Sequence, residues 1–115
     1  MAYIELTKEN FRSVVEEGDT PVVVEFWAPW CGYCRRLSPV LDQLEEEISF
    51  WDNPIKIGKI NLDEEPELAE RFEVDTIPTL LTFKNGKSGD LLVNPGSKAQ
   101  IIRWMEKEIG EDEEK

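Results

Sequence analysis

The two cysteines of the chain, Cys31 and Cys34, are separated by Gly32 and Tyr33. They lie where an apolar run at 22–27 gives way to a pattern of helical period. Two thiols at this spacing can form a disulfide with little movement of the backbone. A helix that begins there directs its free N–H groups and positive dipole end at the first sulfur, which favours the thiolate that attacks disulfides. The pattern predicts a dithiol–disulfide exchange centre, with Cys31 at the exposed end and Cys34 facing inward.

The cysteine pair has two interpretations other than redox exchange. A purely structural disulfide across so short a loop would remove little entropy from the unfolded chain. A zinc site needs two further ligands, and the chain has no histidine and no other cysteine. A metal ion or an iron–sulfur cluster would therefore have to be shared between two chains. Because both cysteines belong to one motif, we expect no disulfide scaffold and a reducing, cytoplasmic setting.

The composition is that of one globular domain with a strong excess of acidic residues. Of the 115 residues, 40% are hydrophobic and 33% charged, and the formal net charge is −12. This charge disfavours binding to nucleic acid or to anionic membrane surfaces, and no apolar run is long enough to span a bilayer. The first residues lack the basic and apolar segments of a secretory signal. We expect a monomeric domain over residues 1–110, followed by a frayed acidic tail at 111–115.

Hydrophobic periodicity predicts the element order β-α-β-α-β-α-β-β-α. The predicted strands cover residues 3–6, 22–27, 55–62, 80–83 and 89–93. The predicted helices lie between residues 7 and 18 and over 31–48, 64–72 and 97–109. Strands linked through helices are expected to be largely parallel, and the closing hairpin antiparallel. The order therefore indicates an α/β fold with a mixed sheet and helices on both of its faces.

Local signals mark several ends and turns of these elements. Thr7, Asp63 and Ser97 are predicted helix caps, and Gln100 completes a capping box with Ser97. The Asn-Gly pair at 85–86 predicts a tight hairpin turn.

Glu25 is a single carboxylate in an otherwise apolar strand. One residue in two of a strand points away from a given face, so Glu25 could be exposed to solvent. However, its neighbours on both faces are apolar, since Val23, Val24, Phe26 and Trp27 surround it in sequence. We therefore expect Glu25 to be largely desolvated and its pKa to be raised.

Three motifs together give the chain a resemblance to the thioredoxin family over nearly its whole length. They are the segments EFWAPWCGYC at 25–34, KINLD at 59–63 and TIPTLLTFKNG at 76–86. The resemblance implies the thioredoxin fold, which is a central mixed five-stranded sheet flanked by four helices. It also implies an enzyme without a bound cofactor or metal, which reduces disulfides of client proteins and is recharged by a separate reductase of the thioredoxin-reductase type.

The resemblance also implies roles for individual residues. Cys31 corresponds to the nucleophile that forms a mixed disulfide with the client, and Cys34 to the thiol that resolves it. Glu25 would exchange a proton with Cys34 by way of water, and Lys59 would modulate that carboxyl group. Pro78 corresponds to a cis-proline beside the sulfurs. The remaining positions implied in client binding are Trp30, Gly32, Tyr33, Thr76 and Ile77, and those implied in supporting the site are Trp27 and Pro39, which should kink the long helix.

Two departures from the usual family pattern concern the active site. Tyr33 stands where thioredoxins usually have proline, and Glu25 where they usually have aspartate. Both residue types resemble those of glutaredoxins or disulfide isomerases. The alternatives are therefore an isomerase or glutaredoxin-like exchange at a less reducing potential, and a thioredoxin-fold binding module without a catalytic role.

Overall fold

Strand β2 (Val22–Trp27) is the centre of the sheet in the computed structural model, which describes residues 3–110. It pairs in parallel with β3 (Lys56–Asn61) and antiparallel with β4 (Thr79–Lys84). Strand β1 (Tyr3–Glu5) extends the sheet beyond β3, to which it runs parallel. Two short strands, β5 (Lys87–Ser88) and β6 (Leu92–Val93), pair antiparallel with β4. The mixed α/β sheet of the predicted thioredoxin fold is thus confirmed.

Four helical segments cover the two faces of this sheet. They are a π-helical segment, Arg12–Glu16, and the α-helices α1 (Gly32–Ile48), α2 (Pro66–Arg71) and α3 (Lys98–Ile109). The sheet residues alternate between two apolar clusters. One cluster lies under the π-helical segment and α2, and includes Phe11, Phe26, Leu68 and Phe83. The other lies under α1 and α3, and includes Val23, Leu41, Ile57, Leu80 and Met105. None of these helices is long and apolar enough to cross a membrane.

The sheet has six strands where five were predicted, because the single return strand expected at 89–93 is replaced by two short strands, of which β5 precedes that range and only β6 lies within it. Between them Gly89 still donates its N–H to the carbonyl of Thr82 on β4 at 2.9 Å, but Asp90 is bonded to α3. The N–H of Asp90 donates to Glu108 Oε1 at 3.0 Å, and the indole N–H of Trp104 donates to the carbonyl of Asp90 at 3.1 Å. A long-range contact therefore interrupts the ladder. The turn before β5 is as predicted, with positive φ angles of 55° at Asn85 and 78° at Gly86.

The helix between β3 and β4 starts later than predicted, and Asp63 does not cap it. Asn61 forms the preceding turn, since its side-chain oxygen accepts the N–H of Asp63 at 2.9 Å. Helix α2 then begins at Pro66, where a missing N–H has no consequence for the helix. The carboxylate of Asp63 instead accepts the indole N–H of Trp30 at 3.0 Å. The predicted acidic tail at 111–115 lies outside the described residues.

The N-terminus of α3 has the predicted Ser97 cap, but Gln100 bonds back to Gly96 and not to the N–H of Ser97, so the capping box is only half formed. The hydroxyl of Ser97 accepts the N–H of Gln100 at 3.1 Å, and the side-chain oxygen of Gln100 accepts the N–H of Gly96 at 2.6 Å. We expect Ser97→Ala to lower the free energy of unfolding by about 1 kcal/mol, because the N–H of Gln100 loses its acceptor.

Urea denaturation of Ser97→Ala and Ser97→Asp measures this contribution. Aspartate retains an oxygen acceptor at the cap, so that variant is expected to be close to wild type in stability. A Ser97→Asp variant as unstable as Ser97→Ala would show that the cap is not the source of the loss.

Candidate active site

The two cysteines are joined by a disulfide at the N-terminus of α1. Their Cα atoms are 5.2 Å apart. Cys31 is the N-cap residue of the helix, and its Sγ accepts the N–H of Cys34 at 3.1 Å. The helix therefore places a backbone donor and the positive end of its dipole at this sulfur. In the reduced protein the same groups stabilise a negative charge on Cys31, as the sequence pattern predicts.

The prediction that Cys31 is the exposed member of the pair is wrong for this disulfide form. Cys31 and Cys34 are both 5% exposed, and they form a small cluster with Ala28. The segment before Pro78 lies next to the pair, since the carbonyl oxygen of Ile77 is 3.9 Å from the Sγ of Cys31. The helical periodicity correctly placed Cys34 inward, but it contained no information on this neighbouring segment.

The rim around the disulfide is aromatic and largely exposed. Trp30 is 63% and Tyr33 55% exposed, whereas Ile77 is half-buried. The peptide bond between Ile77 and Pro78 is cis, and Pro78 is buried. Gly32 and Thr76 are also exposed near these residues in sequence. Of the residues that the resemblance implies in client binding, Ile77 packs against the cysteine cluster, and Trp30, Gly32 and Tyr33 flank Cys31 in sequence.

Two arginines follow the cysteines on α1. The guanidinium of Arg36 lies over the ring of Tyr33, with its carbon atom 4.8 Å from the ring centroid. Arg35 donates from Nη1 to the carbonyl of Pro29 at 3.0 Å. These contacts hold Tyr33 and the loop before Cys31 in place.

Glu25 is buried on the central strand, as predicted, with an exposure of 2%. The alternation of β2 directs its side chain to the face that carries Val23 and α1. Burial raises its pKa from the ordinary 4.5 of a glutamate to about 7, although Lys59 acts in the opposite direction. Lys59 is directly opposite Glu25 in the β2–β3 ladder, and its Nζ is 3.7 Å from Oε1 of Glu25. A carboxyl group of this kind can accept or donate a proton near neutral pH.

Tyr3 and Asp42 lie near this ion pair, and neither was predicted from the sequence to be part of the site. The Nζ of Lys59 is 4.3 Å from the ring centroid of Tyr3 and 5.8 Å from that of Trp27. The hydroxyl of Tyr3 donates to Oδ1 of Asp42 on α1 at 2.6 Å. Burial, together with this hydrogen bond to a carboxylate, raises the pKa of Tyr3, so its hydroxyl remains a donor at neutral pH. No short-range signal indicates a contact between residues 39 positions apart.

The two residues implied in supporting the site differ in their surroundings. Trp27 is half-buried and packs against the cysteine cluster. Pro39 is exposed on α1, which continues through it from Gly32 to Ile48. Among residues 3–110, no group of three or more histidine, cysteine or acidic side chains is placed to hold a metal ion.

A disulfide at a helix N-terminus, beside a cis-proline on a mixed sheet, defines the class of thiol–disulfide exchange proteins. Comparison with known proteins agrees with this class. The thioredoxin family model matches residues 2–107. Thioredoxin 1 of Nostoc sp. is 37% identical over 108 residues, which cover 94% of this chain and 98% of that protein. The thioredoxin of Porphyra purpurea is 38% identical over 109 residues, covering 95% and 99% of the two chains. That of Rickettsia felis is 36% identical over 104 residues, covering 90% and 96%.

The chain belongs to the thioredoxin family. It is a thiol–disulfide oxidoreductase of the protein-disulfide reductase type, and Cys31 and Cys34 are its redox pair. The matches do not favour the isomerase, glutaredoxin-like or binding-module alternatives.

Proposed function

We propose that this protein reduces client disulfides through attack by Cys31, resolution by Cys34 and proton transfer by Glu25. The observation that carries the proposal is the placement of Cys31 Sγ at the N-terminus of α1, 3.1 Å from the backbone nitrogen of Cys34. This arrangement stabilises a thiolate on Cys31 and keeps the second sulfur within reach of the first.

The reaction consists of two exchanges in which electrons and protons balance. The Cys31 thiolate attacks one sulfur of the client disulfide, which forms a mixed disulfide and releases the other client sulfur as a thiolate that takes up a proton. The thiol of Cys34 then gives its proton to Glu25 and attacks Sγ of Cys31. This step breaks the mixed disulfide, forms the Cys31–Cys34 disulfide and releases the second client thiolate. The client gains two electrons, which the protein loses.

Glu25 supports the second exchange because its pKa of about 7 allows both protonation states at neutral pH. It lies on the α1 side of β2, and Cys34 lies on the buried stripe of α1 with Leu37 and Leu41. Lys59 would assist by stabilising the carboxylate form of Glu25. The proton passes between Glu25 and Cys34 through water, as the family resemblance implies.

The oxidised protein then has to be reduced again by a separate enzyme, because its own cycle supplies no electrons. We propose a donor of the thioredoxin-reductase type, a monomeric protein without a bound cofactor, and a reducing compartment such as the cytoplasm. In support, both cysteines of the chain belong to the redox motif and none remains for a structural disulfide.

Reduction of insulin by dithiothreitol, followed through precipitation of the freed B chain, tests the proposed activity. The protein is expected to accelerate precipitation well above the rate with dithiothreitol alone, and the Cys31→Ser/Cys34→Ser double variant should not. Equilibration with glutathione tests the direction of exchange. A disulfide that persists at all but strongly reducing glutathione ratios supports a reductase. A disulfide reduced at mildly reducing ratios would contradict it.

The exposed aromatic rim predicts a specific effect on client binding. We expect Trp30→Ala to raise KM for insulin about five- to tenfold with little change in kcat, because a large apolar contact surface is lost. Reduction of a small aromatic disulfide is expected to be unchanged. Trp30→Phe keeps an aromatic ring but loses the hydrogen bond to Asp63, so it separates the two contributions. Equal losses of activity on insulin and on the small disulfide would contradict a client-binding role.

A further inference from the structure

The Lys59 side chain enters a shallow cavity at the β1 edge of the sheet. The cavity has a volume of about 280 Å³ and is lined by Tyr3, Glu5, Trp27, Lys59 and Asn61. The ring of Tyr3 lies nearer to the ammonium group than that of Trp27, with centroid distances of 4.3 and 5.8 Å. Lys59 is therefore flanked by two aromatic rings and directed toward Glu25.

Several acidic groups compete for this one lysine. Glu25 faces it from β2, Glu5 is its register neighbour on β1, and Asp42 and Glu45 lie on α1, close enough to act on Tyr3. Glu5 is exposed, so an ion pair with it would draw the ammonium group away from Glu25 and toward solvent. The side chain of Lys59 is long and itself 23% exposed. Besides its charge interaction with Glu25, the ammonium group is in contact with the rings of Tyr3 and Trp27, which do not attract it toward Glu5.

We propose that Tyr3 is a positioning residue that holds the ammonium group of Lys59 against Glu25 and thereby stabilises the carboxylate form of Glu25. The face of its ring attracts the cation. Its hydroxyl, bonded to Asp42 at 2.6 Å, fixes the ring between β1 and α1. The effect of Tyr3 on catalysis rests on the proposed function, in which Glu25 transfers a proton. The placement of Lys59 can be measured independently of catalysis.

The expected effect follows from the direction in which Lys59 acts. Lys59 lowers the pKa of Glu25, so release of the ammonium group raises it. A cation–π contact of ordinary strength corresponds to a change of about half a pKa unit. Entry of water after loss of the ring would act in the opposite direction, since hydration favours the carboxylate. The sign of the change therefore distinguishes positioning of Lys59 from mere exposure of Glu25.

Titration of the side-chain carboxyl carbon of Glu25 by ¹³C NMR, on the oxidised protein, tests the proposal. Tyr3→Leu is expected to raise the pKa of Glu25 by about half a unit, and Lys59→Met to raise it by more. In the Lys59→Met background, Tyr3→Leu should have no further effect. An unchanged or lowered pKa in Tyr3→Leu, or the same increase without Lys59, would overturn the proposal.

Tyr3→Phe is the matched control, because it keeps the ring and removes only the hydrogen bond to Asp42. We expect it to raise the pKa of Glu25 by less than Tyr3→Leu does. A change equal to or larger than that of Tyr3→Leu would assign the effect to the hydroxyl and contradict the role of the ring. The conservative variant also remains informative if Tyr3→Leu does not fold.

The catalytic consequence separates this proposal from the proposed function. The pH profile of mixed-disulfide resolution is expected to move with the pKa of Glu25 in Tyr3→Leu. If NMR shows the change in pKa but the profile does not move, Tyr3 positions Lys59 and the proposed catalytic role of Glu25 is wrong. If the pKa of Glu25 does not change in Tyr3→Leu, the inference on Tyr3 is wrong, whether or not Glu25 has a catalytic role.

Discussion

Cys31→Ser is expected to lower kcat/KM for insulin reduction by about a thousandfold or more, to the level of dithiothreitol alone. A serine hydroxyl forms neither a thiolate nor a disulfide, so the first exchange has no nucleophile. The structure explains why Cys34 cannot substitute for it. Both cysteines are 5% exposed, and the difference between them is the N-cap position, which Cys31 occupies and Cys34 does not. The insulin assay under saturating reductant measures the loss.

Cys34→Ser is expected to fail at a different step, and this difference identifies the roles of the two sulfurs. The variant retains the nucleophile at the N-cap position but cannot resolve the mixed disulfide. It should therefore accumulate a covalent complex with the client, visible by non-reducing electrophoresis and absent for Cys31→Ser. Alkylation of the reduced wild-type protein at pH 7 should modify Cys31 first and faster than a small free thiol. Equal trapping by both variants, or equal alkylation of both cysteines, would contradict this assignment.

The elements that could be predicted are those determined by short stretches of sequence. The apolar run of β2 and the helical stripe of α1 are strong periodic signals, and both elements have the predicted extent. The hairpin turn at 85–86 and the Ser97 cap depend on contacts within a few residues. The division of the return strand could not be predicted in this way, because Glu108 takes the N–H of Asp90 across 18 residues.

The same distinction applies to the active site. The Cys31–Cys34 spacing and the carboxylate of Glu25 in an apolar strand are local features, and the structure shows the disulfide and the burial of Glu25 that they predict. The contacts of Trp30 with Asp63, and of Tyr3 with Asp42, join residues 33 and 39 positions apart. Such contacts arise from the packing of whole elements. For the same reason, the burial of Cys31 by the segment before Pro78 was not evident from the periodicity of α1.

Glu25 provides the second large effect, which is on stability. Its pKa is about 7 in the folded protein and 4.5 for an ordinary glutamate, a difference that corresponds to about 3 kcal/mol. Below pH 4.5 the carboxyl group is protonated in both states and has no effect. Between pH 4.5 and about 7 the unfolded chain is ionised while the folded protein still holds the proton, so the free energy of unfolding falls with rising pH and levels off above pH 7. We expect Glu25→Gln to match wild type near pH 4 and to be more stable by about 3 kcal/mol at pH 8.

Urea denaturation of the oxidised proteins at pH 4 and pH 8 checks this expectation, since the disulfide keeps the cysteines from titrating. Glu46→Gln, at an exposed position of α1, is the control and should change stability by less than about 0.5 kcal/mol at either pH. A stability difference for Glu25→Gln that is the same at both pH values would contradict the raised pKa.

The kinetic effect of Glu25→Gln is expected to have the opposite sign to its effect on stability. The glutamine side chain cannot accept the proton of Cys34, so single-turnover resolution of the mixed disulfide at pH 7 should slow by about tenfold or more. Attack by Cys31 should be unaffected, because its charge is stabilised by the N-terminus of α1. A purely structural carboxylate would give a variant that is more stable and equally fast. A variant that is more stable but slower in resolution alone requires that Glu25 takes part in the chemistry, and that its unfavourable burial serves the second exchange.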